Sequence, residues 1–159
     1  MEDRAVKKKD RFWIFLLIIA LIVVLLRVFV FEFVNVSGLS MYPTLHDREL
    51  IMIYKVDYSP VRGDIVVLNS PNTLEIVKRV IGLPGEKIEI KEGIVYINDQ
   101  VLDQKFQYPT QVKDSMAPLV IPSDSIFVMG DNRDNSADSR EIGPIQIRSV
   151  RGKMLFSLW

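Results

Sequence analysis

Polar and apolar residues divide this chain into two unlike parts. Residues 12–26 are apolar without a break, and after Arg27 the run resumes through Val28-Phe29-Val30-Phe31. No amphipathic stripe runs through the segment, so it reads as a helix in an apolar medium rather than one packed on a core. Twenty helical residues rise about 30 Å, the thickness of a bilayer's hydrocarbon core. Arg27 lies close enough to the far end to snorkel toward the headgroups. A removable leader would carry an apolar stretch of about 7–15 residues and a small-x-small site. Here the stretch is longer, and bulky Phe31-Glu32-Phe33-Val34 closes it. The prediction is a retained anchor over residues 12–31. Residues 1–11, with Arg4, Lys7, Lys8, Lys9 and Arg11, form a basic cytoplasmic N-terminus, which puts residues 32–159 outside.

Past the span the period falls to two. Glu49-Leu50-Ile51-Met52-Ile53-Tyr54, Asp64-Ile65-Val66-Val67-Leu68 and Leu74-Glu75-Ile76-Val77-Lys78-Arg79-Val80-Ile81 are rich in β-branched residues, with Gly, Pro, Asn or Asp between them. Lys87-Ile88-Glu89-Ile90 alternates, turns at Lys91-Glu92-Gly93 and returns as Ile94-Val95-Tyr96-Ile97, a hairpin pattern. Ser125-Ile126-Phe127-Val128-Met129 and Lys153-Met154-Leu155-Phe156 predict later strands. Residues 103–124 hold Pro109, Pro118 and Pro122 without a clear period, and are expected to be mostly loop. Residues 32–159 are thus expected to form one mainly antiparallel β domain.

Composition narrows the chemistry. Of 159 residues, 48% are hydrophobic, and 20 Lys and Arg balance 20 Asp and Glu. Neutral net charge gives no footprint for a nucleic-acid partner. The chain has no cysteine, which excludes thiol catalysis, disulfides and cysteine-based metal sites. Some 120 residues outside the span suffice for one modest core.

Ser37-Gly38-Leu39-Ser40-Met41-Tyr42-Pro43-Thr44-Leu45 places a serine in a turn-forming segment just beyond the span. Ser40 reads either as an ordinary turn residue or as a nucleophile working at a membrane surface. A serine hydroxyl needs a base. The single histidine, His46, sits in the polar run His46-Asp47-Arg48, which fits a solvated loop. A lysine can serve only if desolvation lowers its pKa. Lys78 lies within the apolar strand Ile76-Val77-Lys78-Arg79-Val80-Ile81 and shares a face with Ile76 and Val80; Arg79 shares the other face with Val77 and Ile81. Alternation alone leaves open which of the two points inward. The run Gly130-Asp131-Asn132-Arg133-Asp134-Asn135-Ser136-Ala137-Asp138-Ser139-Arg140 is dense in short hydrogen-bonding side chains, which fix turns. It is no calcium loop: Arg133 stands where a ligand oxygen belongs, and the required glycine and terminal glutamate are missing. It reads as a rigid polar loop paired through Asp138 and Arg140, or as the support of a catalytic site.

Together, the Ser37–Leu45 segment, Lys78-Arg79-Val80-Ile81-Gly82-Leu83-Pro84-Gly85-Glu86 and residues 130–140, in this order behind one anchor, resemble the type I (leader) signal peptidases, in their small single-span bacterial form. Arg62-Gly63-Asp64-Ile65-Val66-Val67 and Ile94-Val95-Tyr96-Ile97-Asn98 also resemble family elements. The resemblance implies a β-rich catalytic domain, a bacterial cell-membrane location and exported preproteins as substrates, cut after small residues of the Ala-x-Ala kind. It calls for no cofactor or metal. It implies Ser40 as nucleophile, Lys78 as general base, Ser136 as the group orienting the lysine amine, and Asp138 and Arg140 as structural braces. Some relatives carry a hydroxyl residue two positions before the nucleophile; Gly38 stands there in this chain, so the oxyanion leans on the Ser40 backbone N–H. Leu39 and Met41 are expected to dip into the interface and line the substrate groove. Two other readings of these residues are a self-cleaving repressor-type protease, which would lack the span, and a membrane-tethered β module that binds a partner without catalysis.

Overall fold

The structure is a computed structural model and describes residues 2–56, 58–69, 76–106, 108–111 and 113–158. Helix α1 (Glu2–Phe29) contains the apolar run. Residues Arg11–Phe29 have a mean hydropathy of 3.0, none of that stretch is buried, and it is long enough to cross a bilayer. The helix stops two residues short of the expected end. Phe31, expected within the span, instead opens β1 (Phe31–Asn35), where the period changes to two. Lys55 closes the helix C-terminus, its amine donating to Val28 O at 2.5 Å and pairing with Glu32 at 3.4 Å. Arg27 folds back over the Phe33 ring, 5.1 Å from its centroid.

The remaining strands are β2 (Leu50–Tyr54), β3 (Ile65–Leu68), β4 (Ile76–Gly82), β5 (Lys87–Lys91), β6 (Ile94–Ile97), β7 (Gln100–Val101), β8 (Met116–Val120), β9 (Ser125–Met129), β10 (Ile145–Gln146) and β11 (Val150–Leu158). A short helix, α2 (Ser139–Ile142), follows β9. The strands form a seven-stranded sheet in the order β1-β2-β11-β3-β4-β9-β10 and a four-stranded sheet in the order β7-β6-β5-β8. Every pairing is antiparallel. Leu74 and Glu75, expected to begin the strand before Lys78, lie outside the described residues.

The segment expected to be loop contains a strand. Met116–Val120 pairs with β5 at the edge of the smaller sheet, and Pro118 is tolerated there because an edge strand has a side with no ladder to satisfy. Three apolar clusters hold the sheets. Ile81, Phe127 and Met129 of the large sheet pack on Ile88, Ile90, Val95 and Ile97 of the small one. Val34, Ile51, Ile53, Val67 and Val77 surround Met41 and Leu45. Val66, Leu68, Val80, Ile126 and Val128 form the third. β4, between β3 and β9, feeds all three and is buried along nearly its whole length. That burial on both faces is why alternation could not rank Lys78 against Arg79.

Candidate active site

Both basic residues of β4 are buried, and the structure gives them different partners. Arg79 is 9% exposed and forms a bidentate pair with Asp131, Nε to Oδ1 at 2.8 Å and Nη2 to Oδ2 at 2.6 Å; its Nη1 donates to Gly63 O at 2.8 Å. The guanidinium is thereby fully committed to structure. Lys78 is 4% exposed, and its Nζ lies 2.7 Å from Ser40 Oγ, thirty-eight positions away in sequence. Burial pushes the Lys78 pKa down from its ordinary value, assisted by the Arg140 charge and opposed by Asp138 and Asp131. A neutral amine can accept the hydroxyl proton across this contact, which a charged one cannot.

His46 stands apart from this pair. Its side chain is 53% exposed, its Nδ1 lies 3.6 Å from Glu49, and its ring meets Tyr42 edge-on at 5.5 Å. The partner of the Ser40 hydroxyl is Lys78.

The 130–140 loop packs under the serine. Asp138 is wholly buried and caps α2; its carboxylate accepts from Gly130 N at 2.9 Å and from Arg140 Nε and Nη2 at 2.9 and 3.0 Å. Burial would raise its pKa, but the Arg140 hydrogen bonds, the Gly130 N–H and the Arg140 charge outweigh it and hold the carboxyl below the usual range. Arg140 also donates to Ser136 O at 3.3 Å. Asp138 and Arg140 are thus joined as a brace for the loop.

Ser136 is placed beside the site, but the bond expected of it is not made. Its Oγ is buried and has no hydrogen-bond partner of normal geometry among the described residues, so it does not hold the lysine amine. The hydroxyl faces the Asp138 carboxylate and helps to hold its pKa down. The loop comes close because residue 130 has no side chain. A Cβ there would stand 2.5 Å from both the Ser136 Cβ and the Ser40 carbonyl oxygen.

Leu39 and Met41 part company. Leu39 is 51% exposed, but Met41 is 1% exposed and belongs to the core with Val34, Ile51 and Val77. The expectation that Met41 faces a groove or the lipid is corrected: the turn at Ser40 directs the next side chain inward, where it anchors the segment. Gly38 adopts φ +88°, and its N–H donates to Asp47 Oδ1 at 2.8 Å, so that position turns the chain and offers no side-chain donor. Asn132, read from sequence only as one of several turn-forming residues, donates from its N–H to Ser40 O and from Nδ2 to Leu39 O, both at 3.0 Å. A cleft of about 560 Å3 lies behind the loop between Ser136, Arg140 and Asp114; Ser40 and Lys78 do not line it.

Comparison with known proteins places the chain in a family. The family described as "Signal peptidase, peptidase S26" matches residues 10–159. The signal peptidase I S of Bacillus subtilis is 37% identical, the match covering 98% of this chain and 92% of that protein. The signal peptidase I P of Bacillus subtilis subsp. natto is 41% identical over 88% of this chain and 84% of its own length. The crystal structure of a signal peptidase I from Enterococcus faecalis superposes with a TM-score of 0.52 at 31% identity, covering 62% of this chain and 98% of that one. With its mainly antiparallel β architecture and apolar N-terminal helix, the chain belongs to the signal peptidase family, peptidase S26, and is a serine peptidase of the signal peptidase I type.

Proposed function

We propose that this chain removes signal peptides by a Ser40–Lys78 dyad at the outer face of a membrane. The observation that carries the reading is the 2.7 Å contact between the Ser40 hydroxyl and a buried amine whose pKa that burial lowers. Lys78 Nζ takes the proton as Ser40 Oγ attacks the scissile carbonyl carbon, and the carbonyl oxygen becomes an oxyanion facing the Ser40 backbone N–H. Collapse breaks the C–N bond, and the protonated lysine returns its proton to the leaving amine, freeing the mature protein. A water then gives its proton to the neutral lysine and attacks the acyl ester; the C–Oγ bond breaks, the protonated lysine returns its proton to Ser40 Oγ, and the signal peptide leaves with a new C-terminal carboxylate. Ser136, whose buried hydroxyl faces the Asp138 carboxylate without a hydrogen bond of normal geometry, is the proposed second anchor for the amine once the Ser40 proton has moved. Substrates are exported preproteins with small residues one and three positions before the cut, as the family resemblance implies.

The site's position fits a substrate emerging from lipid. Ser40 follows Phe31 by nine residues, which span at most about 30 Å. The outward face of the sheet next to the helix is apolar: Phe33 pairs with Met52, and Met52 with Phe156, which is 45% exposed. The proposed topology is a single pass with the basic N-terminus in the cytoplasm and the β domain outside.

Cleavage of a preprotein in detergent by wild type, Ser40→Ala, Lys78→Ala and His46→Ala tests the dyad. The first two variants lose activity and the third retains it. Full activity in Lys78→Ala ends the reading, and loss in His46→Ala alone points to a histidine base. Activity falls as acid protonates Lys78, and a flat rate across roughly pH 6–9 contradicts the mechanism.

A further inference from the structure

The nucleophile's peptide plane is gripped from ninety-three positions away. Asn132 Nδ2 donates to Leu39 O at 3.0 Å. The Leu39 carbonyl and the Ser40 N–H belong to one planar trans peptide, so they point in opposite directions, and fixing one aims the other. The Tyr42 N–H donates to the same carbonyl at 3.1 Å, which occupies both of its lone pairs. The Asn132 N–H meanwhile donates to Ser40 O at 3.0 Å and holds the following peptide. Among the described residues, the Ser40 N–H itself has no acceptor and is left for a ligand.

This arrangement differs from the ordinary use of asparagine in a turn. The local turn is closed by backbone, Asn135 N–H to Asn132 O at 3.1 Å, and the Asn132 amide is directed across to the serine segment. Donors on the carbonyl side also polarise the peptide and strengthen its N–H as a donor. Gly38 supplies no hydroxyl, so the chain depends on that N–H more heavily than a relative with a side-chain donor would.

We infer that Asn132 is the positioning residue of the oxyanion site, aiming the Ser40 N–H at the developing negative charge through the Leu39–Ser40 peptide plane. The inference rests on Ser40 acting as nucleophile. Deleting an oxyanion donor outright costs about 10²–10³ in kcat. Misaiming one costs less, and Asn132→Ala lowers kcat by about 10–100-fold on that scale, with KM nearly unchanged.

The test uses the full chain in detergent with a preprotein substrate, and measures kcat, KM and the pH profile for wild type, Asn132→Ala and the isosteric Asn132→Asp. Both variants keep the backbone bond to Ser40 O, and thermal melts confirm that they are folded. In Asn132→Ala, kcat falls while the midpoint of the acid limb stays in place, because Lys78 is untouched. Asn132→Asp, compared on the alkaline plateau where Lys78 is neutral, falls at least as far, since its carboxylate cannot donate to Leu39 O. Wild-type plateau kcat in either folded variant overturns the inference, as does a loss carried wholly by KM or by a shifted acid limb. Ser40→Ala and Lys78→Ala run alongside. If they cleave, the dyad reading fails; if they are inactive while the Asn132 variants turn over at full rate, only the Asn132 inference fails.

Discussion

Gly130 offers the sharpest perturbation of the site. Its φ lies outside the left-handed region, so an alanine there carries no backbone strain, and the consequence of Gly130→Ala is steric alone. The added Cβ would stand 2.5 Å from the Ser40 carbonyl oxygen and from Ser136 Cβ, and would overlap Ser136 Oγ. Two of these neighbours cannot swing aside: one is Ser40 backbone and the other sits at the root of the Ser136 side chain. The 130–140 loop and the serine segment must separate by several tenths of an ångström or more. Overpacking of this kind costs about 1–3 kcal/mol, less the ~0.4–1 kcal/mol that alanine recovers by restricting the unfolded chain. For a domain of this size each kcal/mol lowers Tm by about 3–5 °C. If Ser40 is the nucleophile proposed above, the catalytic effect is larger, since displacing a nucleophile by about 1 Å costs on the order of 10²-fold. Gly38→Ala is the matched control. Gly38 has φ +88° and nothing within 4 Å of a new Cβ, so its variant meets only backbone strain of about 1–2 kcal/mol. Preprotein cleavage and thermal melts by circular dichroism read both quantities. Gly130→Ala is expected to lose far more rate than Gly38→Ala at comparable stability. Wild-type rate in Gly130→Ala, or equal rate losses in the two, refutes it.

Three further outcomes follow from the buried charges. Asp131→Asn leaves the Arg79 guanidinium buried without its carboxylate, and urea denaturation shows a loss of about 3–5 kcal/mol; a loss under 1 contradicts the structural role assigned to that pair. Lys78→Met abolishes cleavage yet is at least as stable as wild type at neutral pH, because the folded state disfavours the lysine charge. Wild type gains on it as pH rises from the lowered Lys78 value toward the ordinary ~10.4, and a pH-independent difference between the two contradicts this. Asp138 has a lowered pKa, so its stabilisation is complete above the ordinary carboxylate range of ~3.9 and disappears as pH falls through the folded value. Asp138→Asn flattens that acid dependence in denaturation curves, and an unchanged acid slope refutes it.

Much of the architecture was legible because half-buried antiparallel strands print their faces onto the sequence. The hairpin of β5 and β6 alternates cleanly and sits where the pattern placed it. β1 was hidden by continuity of composition: Phe31 and Phe33 prolong the apolar run of the helix, and only the change of period separates them. β8 was hidden by Pro118 and by its exposed edge position, which leaves few apolar residues facing inward. At the site, the sequence offered Ser40 and two adjacent basic residues, but a strand buried on both faces carries no inward signal. Only tertiary contacts separate Arg79, tied to Asp131, from Lys78, set against Ser40. The inward direction of Met41 is not legible in the sequence for a related reason, since a turn reassigns the direction of the side chain that follows it. Asn132 was missed because its residue type is common in turns and its acceptor lies far away in sequence.

The most direct measurement is the titration of the Lys78 amine, followed by NMR in lysine-labelled full-length chain with Lys78→Met to assign the signal, beside the pH dependence of kcat/KM. A Ser40–Lys78 dyad requires a midpoint below the ordinary lysine value of ~10.4, coincident with the acid limb of the rate. A midpoint in the ordinary range, or a limb that does not follow it, contradicts Lys78 as the base that activates Ser40.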